Sequence, residues 1–250
     1  KVVLTGLRTA FPDASDQQIK DWSIGAWDNV GRTFGEFPLL GRIKVFDKNS
    51  RVDVEGLDIL KTHHANGKGA ILISGHFANW EIMAAVFAQA GLPVRVTYRP
   101  TNNPYFDKRI RGQRKKYGIQ LLVPKARTKG ARELISALRS GDMIAIMNDQ
   151  KFREGIQVDF FGVEAMTAPG ATRLSVKTGA PLIPMSVQRT KGARFKVTIH
   201  HPIVPVGGDT PEKTIRNGVE QITRFVEDRI REHPPQWFWV HRRWDKSHYK

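Results

Sequence analysis

The spacing of apolar residues changes character near residue 50. Before that point, apolar side chains recur every three or four residues, which is the spacing of one helix face. The positions that carry this pattern are Ile19, Trp22, Ala26 and Val30. After it, short apolar runs alternate with amphipathic segments. We therefore predict an N-terminal helical segment over about residues 1–45 and an α/β core over about residues 50–244.

Short apolar runs in the first part of the core predict strands, and the segments between them predict helices. The predicted strands span residues 51–55, 70–74, 94–98, 119–122 and 143–147. The predicted helices span residues 57–64, 79–90, 104–117 and 129–139. Such alternation favours a mainly parallel sheet with helices on its faces, because parallel neighbours need a crossover connection.

The second part of the core departs from strict alternation. We predict a helix over residues 170–178, an antiparallel strand pair over residues 182–189 and 195–201, and a long amphipathic helix over residues 212–231. The resulting fold class is α/β, with a mixed, mainly parallel central sheet flanked by helices. No repeat or low-complexity linker divides the chain, so we expect a single domain over residues 1–250.

The amino-acid composition favours certain classes of binding partner and excludes certain kinds of catalysis and metal site. With 40 basic and 24 acidic residues the net charge is +16, which favours nucleic acid, anionic lipid headgroups or an acidic protein as partners. The absence of cysteine excludes disulfides, thiolate catalysis and cysteine zinc sites. No apolar run approaches the roughly 20 residues of a membrane span. Because the chain begins at Lys1 without methionine, we expect a preceding segment to be missing.

The stretch over residues 75–81, Gly-His-Phe-Ala-Asn-Trp-Glu, follows a predicted strand. On one continuous helix His76 and Glu81 would point about 140° apart. They can act together only if His76 lies in the turn and Glu81 reaches back from the first helical turn. A carboxylate beside an imidazole fixes its tautomer and raises its basicity. We predict a general base at His76 partnered by Glu81; the alternative is a structural histidine.

Two more polar clusters follow predicted strands, and the carboxyl ends of parallel strands share one edge of a sheet. Arginines after the strand at 94–98 offer paired donors to phosphate or carboxylate; the alternative is a solvated basic helix face. Asp149 follows the strand at 143–147, where it would orient an arginine or His76, or cap a loop. The cluster residues are Arg99, Arg109 and Arg114 in the first, and Asp149 and Gln150 in the second.

The C-terminal run over residues 234–244 mixes aromatic and basic side chains, with Trp237, Trp239 and Trp244 among them. Tryptophan with arginine suits a membrane interface or a nucleic acid. The alternative is core aromatics on a terminal strand. We expect the pair His63 and His64 to lie on a helix surface, without a metal role.

Residues 75–81 resemble the His-x4-Asp/Glu block of the glycerolipid and lysophospholipid acyltransferase superfamily. Later blocks resemble the bacterial lipid A biosynthesis acyltransferases, which add lauroyl or myristoyl chains to a lipid A precursor. These blocks are Tyr98-Arg99-Pro100 with Asn103-Pro104 and Asp107, Asp149-Gln150, and Trp239-Val240-His241-Arg242-Arg243. The resemblance runs from about Leu4 to Trp244.

This resemblance implies a fold like that of glycerolipid acyltransferases and a catalytic pair at His76 and Glu81. It implies transfer of an acyl chain from acyl carrier protein to a hydroxyl of a lipid A precursor of the Kdo-lipid IVA type, without cofactor or metal. The location would be the cytoplasmic face of the bacterial inner membrane, with an anchoring helix before Lys1. The substrate-binding or supporting residues would be Arg99, Arg109, Arg114, Asp149, Gln150 and Arg242.

Other functions stay open at this point. The acceptor could be another glycolipid, such as a mannosylated phosphatidylinositol, or a lysophospholipid, and with water as acceptor the enzyme would be a hydrolase. A non-enzymatic basic module on membranes or nucleic acid would explain the charge but not the three polar strand ends. We find no nucleic-acid motif, so the expected partners are acyl carrier protein, an anionic glycolipid and a membrane surface.

Overall fold

The computed structural model of the protein describes residues 1–98, 100, 103–116, 119, 122–124, 127–205 and 207–249. Within these residues the chain forms eight α-helices and nine strands. The helices are α1 (Val2–Ala10), α2 (Asp16–Glu36), α3 (Leu57–Ala65), α4 (Glu81–Gln89), α5 (Pro104–Lys116), α6 (Arg127–Arg139), α7 (Gly170–Thr178) and α8 (Pro211–Glu232). The strands are β1 (Val52–Glu55), β2 (Ala70–Ser74), β3 (Val94–Tyr98), β4 (Leu122–Pro124), β5 (Met143–Met147), β6 (Lys151–Phe160), β7 (Val163–Thr167), β8 (Leu182–Arg189) and β9 (Phe195–Ile199).

The central sheet has the strand order β1-β9-β8-β2-β5-β3-β4 among the described residues. Strands β8, β2, β5, β3 and β4 run parallel to one another. Strand β9 is antiparallel to β8 and parallel to β1. The predicted α/β class, with a mixed and mainly parallel sheet, is therefore confirmed.

The middle of the sheet positions two strand ends side by side. Every residue of β2 is buried, as expected for a parallel strand covered on both faces. Its register against β5 pairs Ala70 with Met143 and Ser74 with Met147. The ladder continues past both strands, because the Asn148 amide donates to the Ser74 carbonyl at 2.9 Å. The residues after β2 and those after β5 therefore emerge at the same edge.

Strands β6 and β7 form an antiparallel hairpin that the sequence pattern does not predict. The chain turns between the two strands at Phe161 and Gly162, both of which have positive φ angles. Phe160 and Phe161 are buried, at 1% and 6% exposure. Much of β6 is exposed and polar, so it lacks the apolar run that marks the central strands.

The predicted membrane-interface role of the C-terminal tryptophans is wrong. Trp237, Trp239 and Trp244 are 2%, 1% and 1% exposed. Each indole N–H donates inside the protein, to the Asp149 carboxylate, the Pro234 carbonyl and the Phe160 carbonyl respectively. Buried indoles with satisfied N–H groups belong to the core. The alternative interpretation, core aromatics, is correct, although Pro234–Gln236 forms a 3₁₀ turn before them rather than a strand.

None of the helices in the described part of the chain has the length and apolar character needed to cross a bilayer. The surface pair His63 and His64 lies in the last turn of α3, half-buried and exposed respectively, as predicted.

Candidate active site

His76 lies in a tight connection between β2 and α4. Gly75 leaves β2, and a Cβ there would lie 2.7 Å from the Phe77 ring, so a side chain would displace that ring. The C-terminal segment closes over this connection. Phe77 forms an antiparallel bridge with Trp237, and the Phe238 amide donates to the His76 carbonyl at 3.1 Å. Backbone contacts with the C-terminal segment thus fix the backbone around His76.

Asp149 is the carboxylate that contacts His76. Its Oδ1 lies 2.7 Å from the His76 Nδ1, and its Oδ2 accepts the His76 backbone N–H at 2.7 Å. Trp237 Nε1 also donates to Oδ2, at 2.8 Å. The Asp149 side chain is 2% exposed and the His76 side chain 17% exposed. The aspartate is therefore enclosed while the imidazole keeps one open side.

The surroundings hold Asp149 in its charged form. Burial alone would raise its pKa, but the charge of His76 and the hydrogen bonds from His76 and Trp237 together lower the pKa well below its usual range. A carboxylate that stays ionised fixes the proton on His76 Nδ1 and stabilises an imidazolium ion. This leaves Nε2 as the acceptor nitrogen of the neutral ring.

The prediction that Glu81 reaches back to His76 is wrong. Glu81 begins α4 and is 8% exposed, in the first helical turn as predicted. Its carboxylate instead accepts two hydrogen bonds from Arg114 of α5, from Nη2 at 2.5 Å and from Nε at 3.1 Å. Glu81 does not bind His76 Nδ1 because Asp149 already occupies that side of the ring. The structure therefore brings the four predicted residues into two adjacent pairs.

Arg114 is fixed on its other face as well. Its guanidinium lies 4.9 Å from the centre of the Tyr98 ring, and the Tyr98 hydroxyl donates to the Asp107 carboxylate. Burial lowers the pKa of Arg114, but the charge of Glu81 and its hydrogen bonds outweigh that effect and raise it. Arg114 is thus a permanent, half-buried cation whose charge Glu81 balances.

An aromatic wall borders the open side of His76. Trp80 meets the imidazole edge-on with ring centres 4.9 Å apart, and Phe238 lies 6.0 Å away. Among the hydrogen bonds between described residues, none engages Nε2 of His76. The site therefore combines an oriented imidazole, an accessible Nε2 and an apolar surround. These features suit proton abstraction from a hydroxyl group.

Within the part of the chain that the structure describes, three of the remaining predicted residues, Arg109, Gln150 and Arg242, make no hydrogen bond to His76 or Asp149. Arg109 on α5 and Gln150 after β5 are exposed, and so is Arg242, whose guanidinium lies 6.0 Å from the Tyr249 ring. Arg99 falls outside the described residues. The substrate-binding roles of these four residues stay predictions.

Sequence reasoning missed Arg243 and the role of Trp237. Arg243 is 1% exposed and donates to the Met166 carbonyl at 3.1 Å and the Thr167 hydroxyl at 2.5 Å. Burial lowers its pKa to about 10, with the Asp149 charge acting in the opposite direction, so the group stays charged at neutral pH. No sequence signal distinguishes it from its exposed neighbour Arg242.

Among the described residues, no cluster of three or more His, Asp or Glu side chains could hold a metal ion. A polar cavity of about 240 Å³ lies between β8, β9 and the end of α8. Its wall includes Phe77 and the hydrogen-bonded pair Ser186 and His200 but not His76. Bond geometry at His76, rather than cavity size, therefore locates the candidate active site.

Comparisons with known proteins point to one family. The model of the bacterial lipid A biosynthesis acyltransferases matches residues 1–246. The lipid A biosynthesis lauroyltransferase of Escherichia coli is 26% identical over 97% of this chain and 78% of its own length. The phosphatidylinositol mannoside acyltransferase of Mycobacterium tuberculosis is 26% identical over 89% of this chain and 69% of its own length. A crystal structure of the 1-acyl-sn-glycerophosphate acyltransferase of Thermotoga maritima has a TM-score of 0.44 and 16% identity, over 94% of this chain and 91% of that chain.

Proposed function

The chain belongs to the bacterial lipid A biosynthesis acyltransferase family, and we propose that it moves a fatty acyl chain from an acyl carrier protein thioester to a hydroxyl of a lipid A precursor of the Kdo-lipid IVA type. The observation that carries this proposal is the His76–Asp149 pair, with Nδ1 held at 2.7 Å by a buried carboxylate and the imidazole side chain still 17% exposed. The family supplies the reaction class, and the pair supplies the base.

The reaction needs one base and no protein nucleophile. His76 Nε2 takes the proton of the acceptor hydroxyl while the hydroxyl oxygen attacks the thioester carbonyl carbon. Asp149 stabilises the imidazolium that forms. The tetrahedral intermediate then breaks its carbon–sulfur bond, and the departing thiolate takes the proton from Nε2. An ester and a free carrier thiol result, and His76 returns to its starting state.

In this proposal Glu81 and Arg114 support the step by holding the backbone near His76, and not by a hydrogen bond to the imidazole. Their two hydrogen bonds join the start of α4 to α5, so they fix the first helical turn after the histidine. The exposed Arg109 lies on the same helix as Arg114. We propose that it meets phosphate groups of the acceptor or the carrier.

We propose that the enzyme works at the cytoplasmic surface of the bacterial inner membrane, and that α2 provides the contact. Three large apolar side chains on this helix point outward within an arc of about 80°. They are Ile24, Trp27 and Phe34, at 60%, 57% and 56% exposure. Leu39, directly after the helix, adds 48% exposure. An apolar stripe on a chain with net charge +16 fits an anionic bilayer.

The reaction is tested by mass spectrometry of the acceptor after incubation with a thioester donor. Acyl carrier protein and coenzyme A thioesters are compared as donors, and Kdo-lipid IVA and phosphatidylinositol mannoside as acceptors. The proposal predicts that the carrier thioester and Kdo-lipid IVA give the highest rate. Preference for the mannoside would favour the second acceptor class, represented by the mycobacterial relative. Release of free fatty acid as the main product would indicate a hydrolase and contradict the proposal.

The membrane contact is tested by sedimentation with vesicles. Trp27→Ser with Phe34→Ser should reduce binding to anionic vesicles, because each removes exposed apolar area from α2. The matched control changes two exposed valines elsewhere, Val176→Ser and Val204→Ser, at 39% and 70% exposure. Equal binding by both double variants would refute the contact through α2.

A further inference from the structure

The turn after His76 contains a residue in an unfavourable backbone conformation. Ala78 has a φ of +42°, the left-handed region that side chains with a Cβ disfavour. It is also fully buried. Such a conformation persists only where surrounding contacts determine it. Ala78 lies two residues beyond His76, so whatever holds Ala78 also limits the freedom of the histidine.

Two side chains of α2 bind the Ala78 carbonyl. Thr33 Oγ1 donates to it at 2.9 Å and Asn29 Nδ2 at 3.2 Å. From the other side, the Ala78 amide donates to the Gln236 carbonyl at 2.6 Å. Asn29 and Thr33 are 5% and 3% exposed. Both polar groups of the Ala78 backbone are therefore held by partners from distant parts of the chain, and the two partners on α2 are buried.

A charged pair extends the same network to Asn79. Its side-chain amide donates to Glu36 Oε2 at 2.8 Å, while its Oδ1 accepts the Glu81 amide at 3.3 Å. Arg189 of β8 donates to both Glu36 oxygens, at 2.5 and 3.0 Å, and to Asn29 Oδ1 at 3.3 Å. Neither charged side chain is more than 17% exposed. The pair thus links the end of α2, the turn and the start of α4.

We propose that Asn29, Thr33 and Glu36 of α2, with Arg189, are positioning residues for the proposed acyl transfer. They hold Ala78 and Asn79 in place, and thereby keep His76 Nδ1 on Asp149 and Nε2 toward the acceptor. None of them touches the reacting atoms. This inference rests on the proposed role of His76 as the base. A misplacement of about 1 Å at a catalytic group costs roughly a hundredfold in rate, so the network affects the rate rather than binding.

Thr33→Val is the most selective test, because it removes one hydroxyl and keeps the shape of the side chain. We expect kcat to fall by about tenfold to a hundredfold, with KM for the acyl donor within twofold, and Thr33→Ser to restore kcat. Thr223→Val is the matched control: Thr223 is also a buried helical threonine that donates to a backbone carbonyl, Val219, at 2.8 Å. Its kcat should equal that of the unchanged protein.

A second measurement does not depend on activity. Hydrogen exchange measured by mass spectrometry should become faster over residues 76–81 in Thr33→Val, while exchange in other peptides stays unchanged. In Thr223→Val, exchange over residues 76–81 should equal that of the unchanged protein. If the unchanged protein transfers no acyl group, the proposed function fails while this measurement still tests the network. Where Thr33→Val does not fold, Arg189→Lys replaces it, since lysine keeps the charge but loses the paired donors to Glu36. Unchanged kcat together with unchanged exchange over residues 76–81 would overturn the inference.

Discussion

Asp149→Asn tests whether the carboxylate orients the imidazole of His76, which we propose as the base. In the unchanged protein, Asp149 accepts three hydrogen bonds, from the ring and backbone of His76 and from the Trp237 indole. An asparagine of the same shape has only one oxygen. If its amide nitrogen faced the backbone N–H of His76 and the Trp237 N–H, two buried donors would lose their acceptor, at about 1–3 kcal/mol each. The oxygen should therefore face these two donors, and the amide nitrogen should face Nδ1.

That orientation defines the size of the effect on the rate. An amide nitrogen donates to Nδ1, which forces the ring proton onto Nε2, the nitrogen that must accept the acceptor's proton. The variant also lacks the charge that stabilises the imidazolium. Loss of the correct tautomer together with that charge costs about 10³ to 10⁴ in kcat. At about 1.4 kcal/mol per tenfold, this corresponds to roughly 4 to 5 kcal/mol of transition-state stabilisation.

The assay is the initial rate of acyl transfer at saturating donor, with thermal unfolding recorded to verify that the variant folds. Asp142→Asn is the matched control, because Asp142 lies directly before β5 and Asp149 lies two residues after its end. Asp142 pairs with Arg95 at 2.8 Å and is 22% exposed; its variant should keep kcat within about twofold, since surface pairs contribute little. An Asp149→Asn enzyme that keeps more than a tenth of kcat would refute the orienting role.

Three further predictions follow from the same contacts. Arg114→Lys keeps the charge but loses the two-point bond to Glu81, so we expect kcat to fall about tenfold, measured beside a thermal melt. The pKa of Asp149 is lower in the folded than in the unfolded protein. The stabilisation that its charge contributes is therefore present above about pH 4 and is lost as the pH falls. Measured by urea unfolding, the difference in free energy of unfolding between the unchanged protein and Asp149→Asn should be smaller at pH 3 than at pH 7. Trp237→Phe removes a donor to Asp149 and should lower both kcat and, by about 1 kcal/mol, the free energy of unfolding; equal kcat losses in Trp237→Phe and Trp239→Phe would contradict a specific role of this indole.

The central strands were predictable because each is a short apolar run between turn signals. The sequence boundaries of β2, β3 and β5 agree with the structure to the residue. The hairpin of β6 and β7 was not predictable in the same way. Much of β6 is solvent-exposed, so burial imposes no apolar pattern on those residues.

The sequence singled out the residues that form the two pairs, but it favoured Glu81 as the partner of His76 and gave Asp149 only as one of several options. Sequence spacing suggested Glu81 as the partner of His76, because it considers only near neighbours along the chain. The actual partner lies 73 residues away, the same offset that pairs Ser74 with Met147 in the ladder of β2 and β5. Once these two strands are known to be neighbours, Asp149 must emerge beside His76. That neighbour relation depends on the packing of the whole sheet, which local patterns do not encode.

The opposite burial of Arg242 and Arg243 has a similar cause. The two residues are adjacent and chemically identical, yet the first is exposed and the second is 1% exposed. Which one turns inward depends on the position of Met166 and Thr167 at the end of β7. The sequence analysis singled out residues 234–244, but the sequence alone does not indicate which of the two arginines is buried.

The most direct test of the central claim compares the products of the unchanged protein and of His76→Ala. Acyl carrier thioester and Kdo-lipid IVA are incubated with each, and the acylated acceptor and the free carrier thiol are both quantified by mass spectrometry. The account predicts one acylated acceptor for each carrier thiol released by the unchanged protein, and a loss of at least about a hundredfold in His76→Ala with the fold retained. Acyl transfer by His76→Ala at the rate of the unchanged protein would contradict it.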